Sequence, residues 1–235
     1  MPFLLNKIVH LIIGGLICYI PGEKSSPKPA EETLQGNYPQ KISEESEIKG
    51  YLDIIFYNGK FIAIGTDGRI DYINKSGERR HVVTSCRNNL NCIVRDDQML
   101  VVAGNDGTIL VSHDGQFFSR AESGTDININ GIAVKNGLFI AGADKGTILI
   151  SKNGKSWNII HLKVRGNIVS VTADDSFFFG ITDSGEIIKS NDGFNWEITD
   201  YNKEYSGYNK TCIFKKVLLT ENWIVIIGTH NDGSP

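Results

Sequence analysis

The residues with the most evident chemical potential in this chain are carboxylates that recur at near-regular spacing. Asp67, Asp106, Asp144, Asp183 and Asp232 each lie in a short Gly-containing stretch that returns along the chain. The copies read IGTDGRIDYI from Ile64, VAGNDGTILVS from Val102, IAGADKGTILIS from Ile140, FGITDSGEIIKS from Phe179 and IGTHNDG from Ile227. One acid per repeat, brought to one side of a fold, would form an arc able to attract a cationic partner. Asp is also an ordinary turn residue, so the same pattern is satisfied by turn chemistry alone. A second set is Tyr201, Tyr205 and Tyr208, clustered in TDYNKEYSGYN at 199–209. Tyrosines interleaved with Gly, Ser and Asn are typical of recognition loops. A tolerated surface insertion has the same look.

Other chemistries find no support. No histidine sits near Cys86 and Cys92, and the CRNNLNC gap is wrong for zinc. His10, His81, His113, His161 and His230 are scattered, and HExxH, GxSxG and phosphate-binding glycine loops do not occur. The paired carboxylates Asp96-Asp97 and Asp174-Asp175 fall where turns are expected. The net charge is -3, with pI near 6.0, unlike the basic footprint of a nucleic-acid binder. No cofactor and no metal are expected, and nucleic acid is not an expected partner.

The elements that must position these residues are short strands. The leading glycines Gly65, Gly104, Gly142, Gly180 and Gly228 are spaced 39, 38, 38 and 48 apart. A second landmark keeps the same period: Ser112, Asp114, Gly115 and Phe118; then Ser151, Asn153, Gly154 and Trp157; then Ser190, Asp192, Gly193 and Trp196. The first copy is degenerate around Gly77. Each unit divides into four β runs. In the third they are 130–134, 138–141, 147–151 and 157–161, separated by turn signals such as Asn136-Gly137. Four antiparallel strands in roughly 39 residues is the blade of a β-propeller. The expected fold is therefore all-β, with about five blades from residue 48 and the last one incomplete. Labelling the strands of a blade A to D, the Ser–Asp–Gly landmark is a C–D turn. The Asp67-type turns are B–C turns at the opposite end, where the D-to-A connector carrying the tyrosines also lies. An N-terminal strand, with 40–48 as the candidate, would complete the last blade. Truncation from a longer propeller, or closure between chains, would also account for the missing strands.

The S-x-[DN]-G-x-x-[WF] landmark resembles the Asp-box, or BNR, repeat of sialidases and other propellers. The whole unit is similar to photosystem-assembly-factor-like propellers over residues 48–235. The spacing is one residue shorter than the commonest sialidase box, which points to the non-sialidase relatives. The resemblance implies a structural task for the landmark: Asp or Asn bonds turn amides, Gly takes positive φ, and Trp157 and Trp196 pack between sheets. A sialidase-like activity would require an arginine cluster over a Tyr–Glu pair. None of Arg69, Arg79, Arg80, Arg87, Arg95, Arg120 and Arg165 lies in that family's Phe-Arg-Ile-Pro context.

Residues 1–20 combine Lys7 with an apolar run from Ile8 to Ile20, too short for a comfortable membrane span and suited to a signal peptide or anchor. Cys18 is the candidate for lipidation, although Gly15-Leu16-Ile17 is a poor match to the small residues that normally precede an acylated cysteine. Residues 21–47, rich in Pro, Ser, Glu and Lys, read as a flexible linker. Cys86 and Cys92 either bridge across a loop or remain free thiols. These observations point to a non-catalytic, extracytoplasmic binding or assembly propeller, tethered at its N-terminus, with a protein or glycan partner. The alternatives are a fragment of a sialidase-like hydrolase and a truncated, non-functional propeller.

Overall fold

A computed structural model of the chain describes residues 8–13, 16–19, 50–204, 211–220 and 223–231. Strands β1 (Ile8–Ile13) and β2 (Leu16–Tyr19) come first. Blade 1 follows, made of β3 (Tyr51–Tyr57), β4 (Lys60–Gly65), β5 (Ile70–Ile73) and β6 (Arg79–His81). Blade 2 is β7 (Leu90–Arg95), β8 (Leu100–Gly104), β9 (Ile109–Ser112) and β10 (Ser119–Arg120). Blade 3 is β11 (Ile129–Lys135), β12 (Leu138–Ala143), β13 (Thr147–Ser151) and β14 (Asn158–His161). Blade 4 is β15 (Ile168–Ala173), β16 (Phe178–Thr182), β17 (Glu186–Ser190) and β18 (Glu197–Asp200). A single helical turn, α1 (Tyr201–Glu204), leads into blade 5, which opens with β19 (Thr211–Leu219) and β20 (Trp223–Asn231). No helix among the described residues is long and apolar enough to cross a membrane.

Blades 1 to 4 are antiparallel meanders, and the tight turns have the expected chemistry. Asn58-Gly59 and Asn136-Gly137 join A to B strands with both residues at positive φ, the backbone a two-residue hairpin requires. The fifth sheet is mixed, in the order β19-β20-β1-β2. Here β1 runs parallel to β20, with Ile8 opposite Trp223 and Ile13 opposite Gly228. Thus it is Ile8–Ile13 and Leu16–Tyr19 that supply the two outer strands of the last blade. The 40–48 segment expected there lies outside the described residues, as does the 21–47 linker.

The register corrects the repeat alignment. Each A strand carries a bulge, at Leu52, Asn91, Asn130, Val169 and Lys215. The residues paired just before it are Gly65, Gly104, Ala143, Thr182 and Gly228. Gly142 and Gly180 therefore sit one and two places ahead of the true equivalents of Gly65. The period is 39 through blade 4, and the insertion before blade 5 is seven residues, not the ten that the glycines alone suggest.

The core lies between blades. Four apolar clusters, one per interface, join the trailing face of each blade to the leading face of the next. Ile62, Ile64 and Ile70 of blade 1 meet Ile93, Leu100 and Leu110 of blade 2. Val101, Ala103 and Val111 meet Ile132, Phe139, Leu149 and Trp157. Ile140, Ile148 and Ile150 meet Val171, Phe178 and Ile188. Phe179 and Ile181 meet Phe214, Val217, Ile224 and Ile226. One small sheet cannot bury a face alone, so each blade derives its stability from its neighbours.

Candidate functional site

The C–D turns are structural devices. In blade 2 the Ser112 hydroxyl accepts the Gly115 N–H at 2.7 Å and donates to Asp114 at 3.1 Å. One Asp114 oxygen accepts the N–H groups of Gln116 and Phe117 at 2.8 and 2.9 Å. Blade 3 repeats this with Ser151, Asn153 and Gly154, and blade 4 with Ser190, Asp192 and Gly193. Trp157 and Trp196 donate their indole N–H to the carbonyls of Gly154 and Gly193. Backbone N–H groups hold the Asp114 and Asp192 carboxyls below the usual carboxylate range. Each turn glycine abuts the preceding blade: a Cβ on Gly193 would meet Ile140 Cδ1 at 2.8 Å. One side-chain oxygen each of Asp114, Asn153 and Asp192 is therefore committed to the turn itself. Asp96 and Asp174 act likewise, each accepting two N–H groups of its own A–B turn.

The B–C end differs from the expected acidic arc. Asp67 and Asp106 occupy the exposed positive-φ position of their turns, but Lys145 takes that position in blade 3. Asp144 and Asp183 fall one place earlier and are engaged. Asp144 accepts from the side-chain amides of Asn128 and Asn130 at 3.0 and 2.9 Å. Asp183 accepts from the Asn167 N–H and amide at 2.9 and 3.0 Å. The free charge around this rim is thus Asp, Asp, Lys rather than four carboxylates. Asp232 lies outside the described residues.

Tyr201 is half-buried at the start of the connector. Its ring packs 5.6 Å from Phe214 against the core between blades 4 and 5, and its N–H is bonded to the Gly185 carbonyl. Asn202 next to it clamps the connector to Ser184 and Cys212. Tyr205 and Tyr208 lie outside the described residues. Cys86, Cys92 and Cys212 are free thiols, which settles the pairing of Cys86 with Cys92 against a bridge. The candidate lipid site Cys18 lies in β2, opposite Leu11.

Among the described residues, a further candidate site lies where the A-strand bulges of blades 1 to 4 converge. A cleft of about 380 Å³ is lined by Leu52, Asn91, Asn105, Asn130 and Val169. Four of these are the bulge residues of blades 1 to 4, one per blade at a spacing of 39. A bulge turns one extra side chain out of the ladder, and here it turns each toward the middle of the arc. The amides are fixed in orientation. Asn91 Nδ2 donates to Asn105 Oδ1 at 2.8 Å and to the Ile129 carbonyl at 2.9 Å. Asn130 Nδ2 donates to Asp144 and to the Ile168 carbonyl at 3.1 Å. With both N–H groups used, each Oδ1 is the part left to accept from a ligand. The cleft belongs to the B–C end, because Asn105 and Asp144 are B–C turn residues.

Sequence reasoning missed these asparagines. The signal was the recurring N-[LI]-N at Asn89 to Asn91 and Asn128 to Asn130, echoed by Asn167-Ile168-Val169 at the same 39-residue period. Asn89, Asn128 and Asn167 accept N–H bonds from Asp67, Asp106 and Lys145 of the preceding blade's turn. They tie consecutive blades at the rim of the cleft.

Blade 1 carries a polar cluster around one buried acid. The buried Asp71 carboxylate accepts from the Tyr51 hydroxyl, contacts His81 Nδ1 at 2.8 Å and pairs with Arg69 Nε at 3.3 Å. Burial, then the bond to Asp71, raises the Tyr51 pKa. A second cluster joins Arg165 to Glu186 and Asp200 on blade 4.

No family model and no curated protein matches this chain. Solved structures do. The computationally designed Ika8 protein aligns at TM-score 0.59 and 14% identity, over 78% of this chain and 56% of that one. YCF48, in a structure bound to D1 peptide, aligns at TM-score 0.58 and 16% identity, over 80% of this chain and 64% of that one. The designed Ika4 protein aligns at TM-score 0.54 and 17% identity, over 66% of this chain and 99% of that one. The chain therefore spans just over half of Ika8 and under two thirds of YCF48. At these identities the likeness bears on architecture alone, and with the five four-stranded sheets it makes this an all-β chain of propeller blades.

Proposed function

We propose that the chain is an extracytoplasmic binding or assembly module, without catalytic chemistry of its own, whose partner is an extended protein segment held over the central cleft. The observation that carries this reading is the pair of oriented amides at the cleft. Asn91 and Asn130 occupy equivalent positions on adjacent blades and offer acceptor oxygens, while Leu52 and Val169 flank them with apolar surface. Acceptors set in an apolar lining suit the N–H groups of an extended backbone. The peptide in the YCF48 structure is a precedent for the architecture. Export is read from the apolar 1–20 segment and the polar 21–47 stretch, and it requires residues 1–20 to be retained, since Ile8–Ile13 and Leu16–Tyr19 form the outer strands of blade 5; a glycan is the second class of ligand for the same acceptors. The test is selection of a displayed random peptide library on the immobilised chain. Enriched peptides should lose about tenfold in affinity, roughly one good hydrogen bond, on Asn91→Leu or Asn130→Leu, with Lys155→Ala as a remote control. Failure to enrich any sequence, or enrichment indifferent to both substitutions, contradicts the reading.

A further inference from the structure

The four blade interfaces use the same positions each time, which makes the two unused faces recognisable. On the leading side, Ile54 is 54% exposed, whereas its equivalents Ile93, Ile132, Val171 and Val217 are 2–8% exposed. Phe61 is 41% exposed, against 0–2% for Leu100, Phe139, Phe178 and Ile224. Phe56, two residues along the strand from Ile54 and 48% exposed, extends the same bare patch. On the trailing side of blade 5, Ile227 is 38% exposed where Ile64, Ala103 and Ile181 are fully buried, and Leu218 is exposed beside it. Among the described residues, no fifth apolar cluster joins β19 to β3.

We infer that copies of this chain associate head to tail, the trailing face of blade 5 on one copy covering the leading face of blade 1 on the next. Both halves of a blade interface are present on one chain, and their A- and B-strand positions are the ones already packed four times within it. The bare residues of both faces lie on A and B strands. Further out, blade 1 turns polar, with Asp71 at the position of Leu110, Leu149 and Ile188 and with Arg69 and His81 around it. Exposed apolar patches of this kind mark interaction surfaces. A heterologous contact leaves one live face at each end, so assembly continues with concentration unless the ring closes.

The experiment is the mass of the full chain by light scattering across a hundredfold range of concentration. The unmodified chain should rise above its 26.0 kDa monomer as concentration increases. Ile54→Asp and Ile227→Asp should each stay monomeric, and their equimolar mixture should form a species of two chains, because each variant retains the face the other has lost. Circular dichroism and cooperative urea unfolding check that both variants fold. A monomeric unmodified chain overturns the inference. So does association of Ile227→Asp alone, which indicates a face-to-face contact at blade 1, and so does association that survives both substitutions.

Discussion

Blades 1 and 3 are built to one plan and differ in their neighbours. Phe61 and Phe139 are the same residue type at the same position of the B strand, yet one is 41% exposed and the other is 1%. Phe139 lies against blade 2 and near Trp157, with ring centroids 6.5 Å apart, while the ring of Phe61 meets its hairpin partner Phe56 at 5.1 Å. The C–D turns diverge in the same sense. Blade 3 closes with the Ser151–Asn153–Gly154 network, whereas blade 1 uses Asn74, which accepts the N–H groups of Ser76 and Glu78 in an exposed turn with open space around Gly77. Burial in this architecture is thus a property of the pair of blades rather than of either one. The residues that specify it lie where one blade meets the next.

The largest expected effect is a direct test of that contrast. Phe139→Ala should cost about 3–5 kcal/mol in urea unfolding, the usual range for a fully buried Phe. Phe61→Ala, measured at low concentration, should cost about 1 kcal/mol, because little area leaves water at that position. Equal losses would mean that the face of blade 1 is covered in the isolated chain.

Turn glycines should show the same asymmetry at smaller scale. Gly193→Ala meets both a left-handed backbone, φ 81°, and the Ile140 side chain of blade 3. Gly77→Ala meets a left-handed backbone, φ 83°, and open space. The first should lose about 2–3 kcal/mol and the second about 1–2 kcal/mol, the excess being the strain of overpacking an interface.

Acid sensitivity sharpens the comparison among inner blades. The folded-state pKa of Asp114 and of Asp192 lies below the unfolded value of about 4. Their contribution is complete above that value and is lost as pH falls through the lower folded pKa. Protection of the turn amides of blades 2 and 4, measured relative to their intrinsic exchange rates, should therefore fall below about pH 4, a window set by the unfolded carboxylate. The turn of blade 3, in which neutral Asn153 makes the same bonds, should not respond. A uniform fall in all three turns would assign the effect to global unfolding. The smallest effect concerns thiols. Burial pushes the Cys92 thiol up, so half-buried Cys86 should react first with a thiol reagent and Cys92 only on unfolding.

Much of the architecture was legible from the repeats, because turn residues and strand alternation are local. Asn136-Gly137, Thr147–Ser151 and the Ser–Asp–Gly turns depend on nothing distant. The alignment failed where a glycine happened to neighbour the true position, at Gly142 and Gly180, since only strand pairing reveals that Ala143 and Thr182 stand in for Gly65. The candidate site was harder to read for the same reason. Tyr201 looked like a displayed aromatic, and only the packing of Phe214 beneath it shows otherwise. Asn91 and Asn130 looked like strand asparagines until the bulges turned them to one cleft. The apolar run at Ile8–Ile13 reads equally as an export core and as a strand, because both need only continuous hydrophobicity.

The most direct test of the account is labelling of one cysteine placed at equivalent positions of two blades, Ile54→Cys and Ile132→Cys, in dilute native chain. Ile54 is 54% exposed and Ile132 is 8% exposed. The account expects the blade 1 thiol to react at the rate of a solvent-exposed cysteine and the blade 3 thiol only through unfolding, a difference of about a thousandfold or more given usual stabilities. Protection of the first should grow with protein concentration as copies cover it. Equal, slow labelling at both positions in dilute solution would mean that blade 5 already closes onto blade 1, and would contradict an arc with open ends.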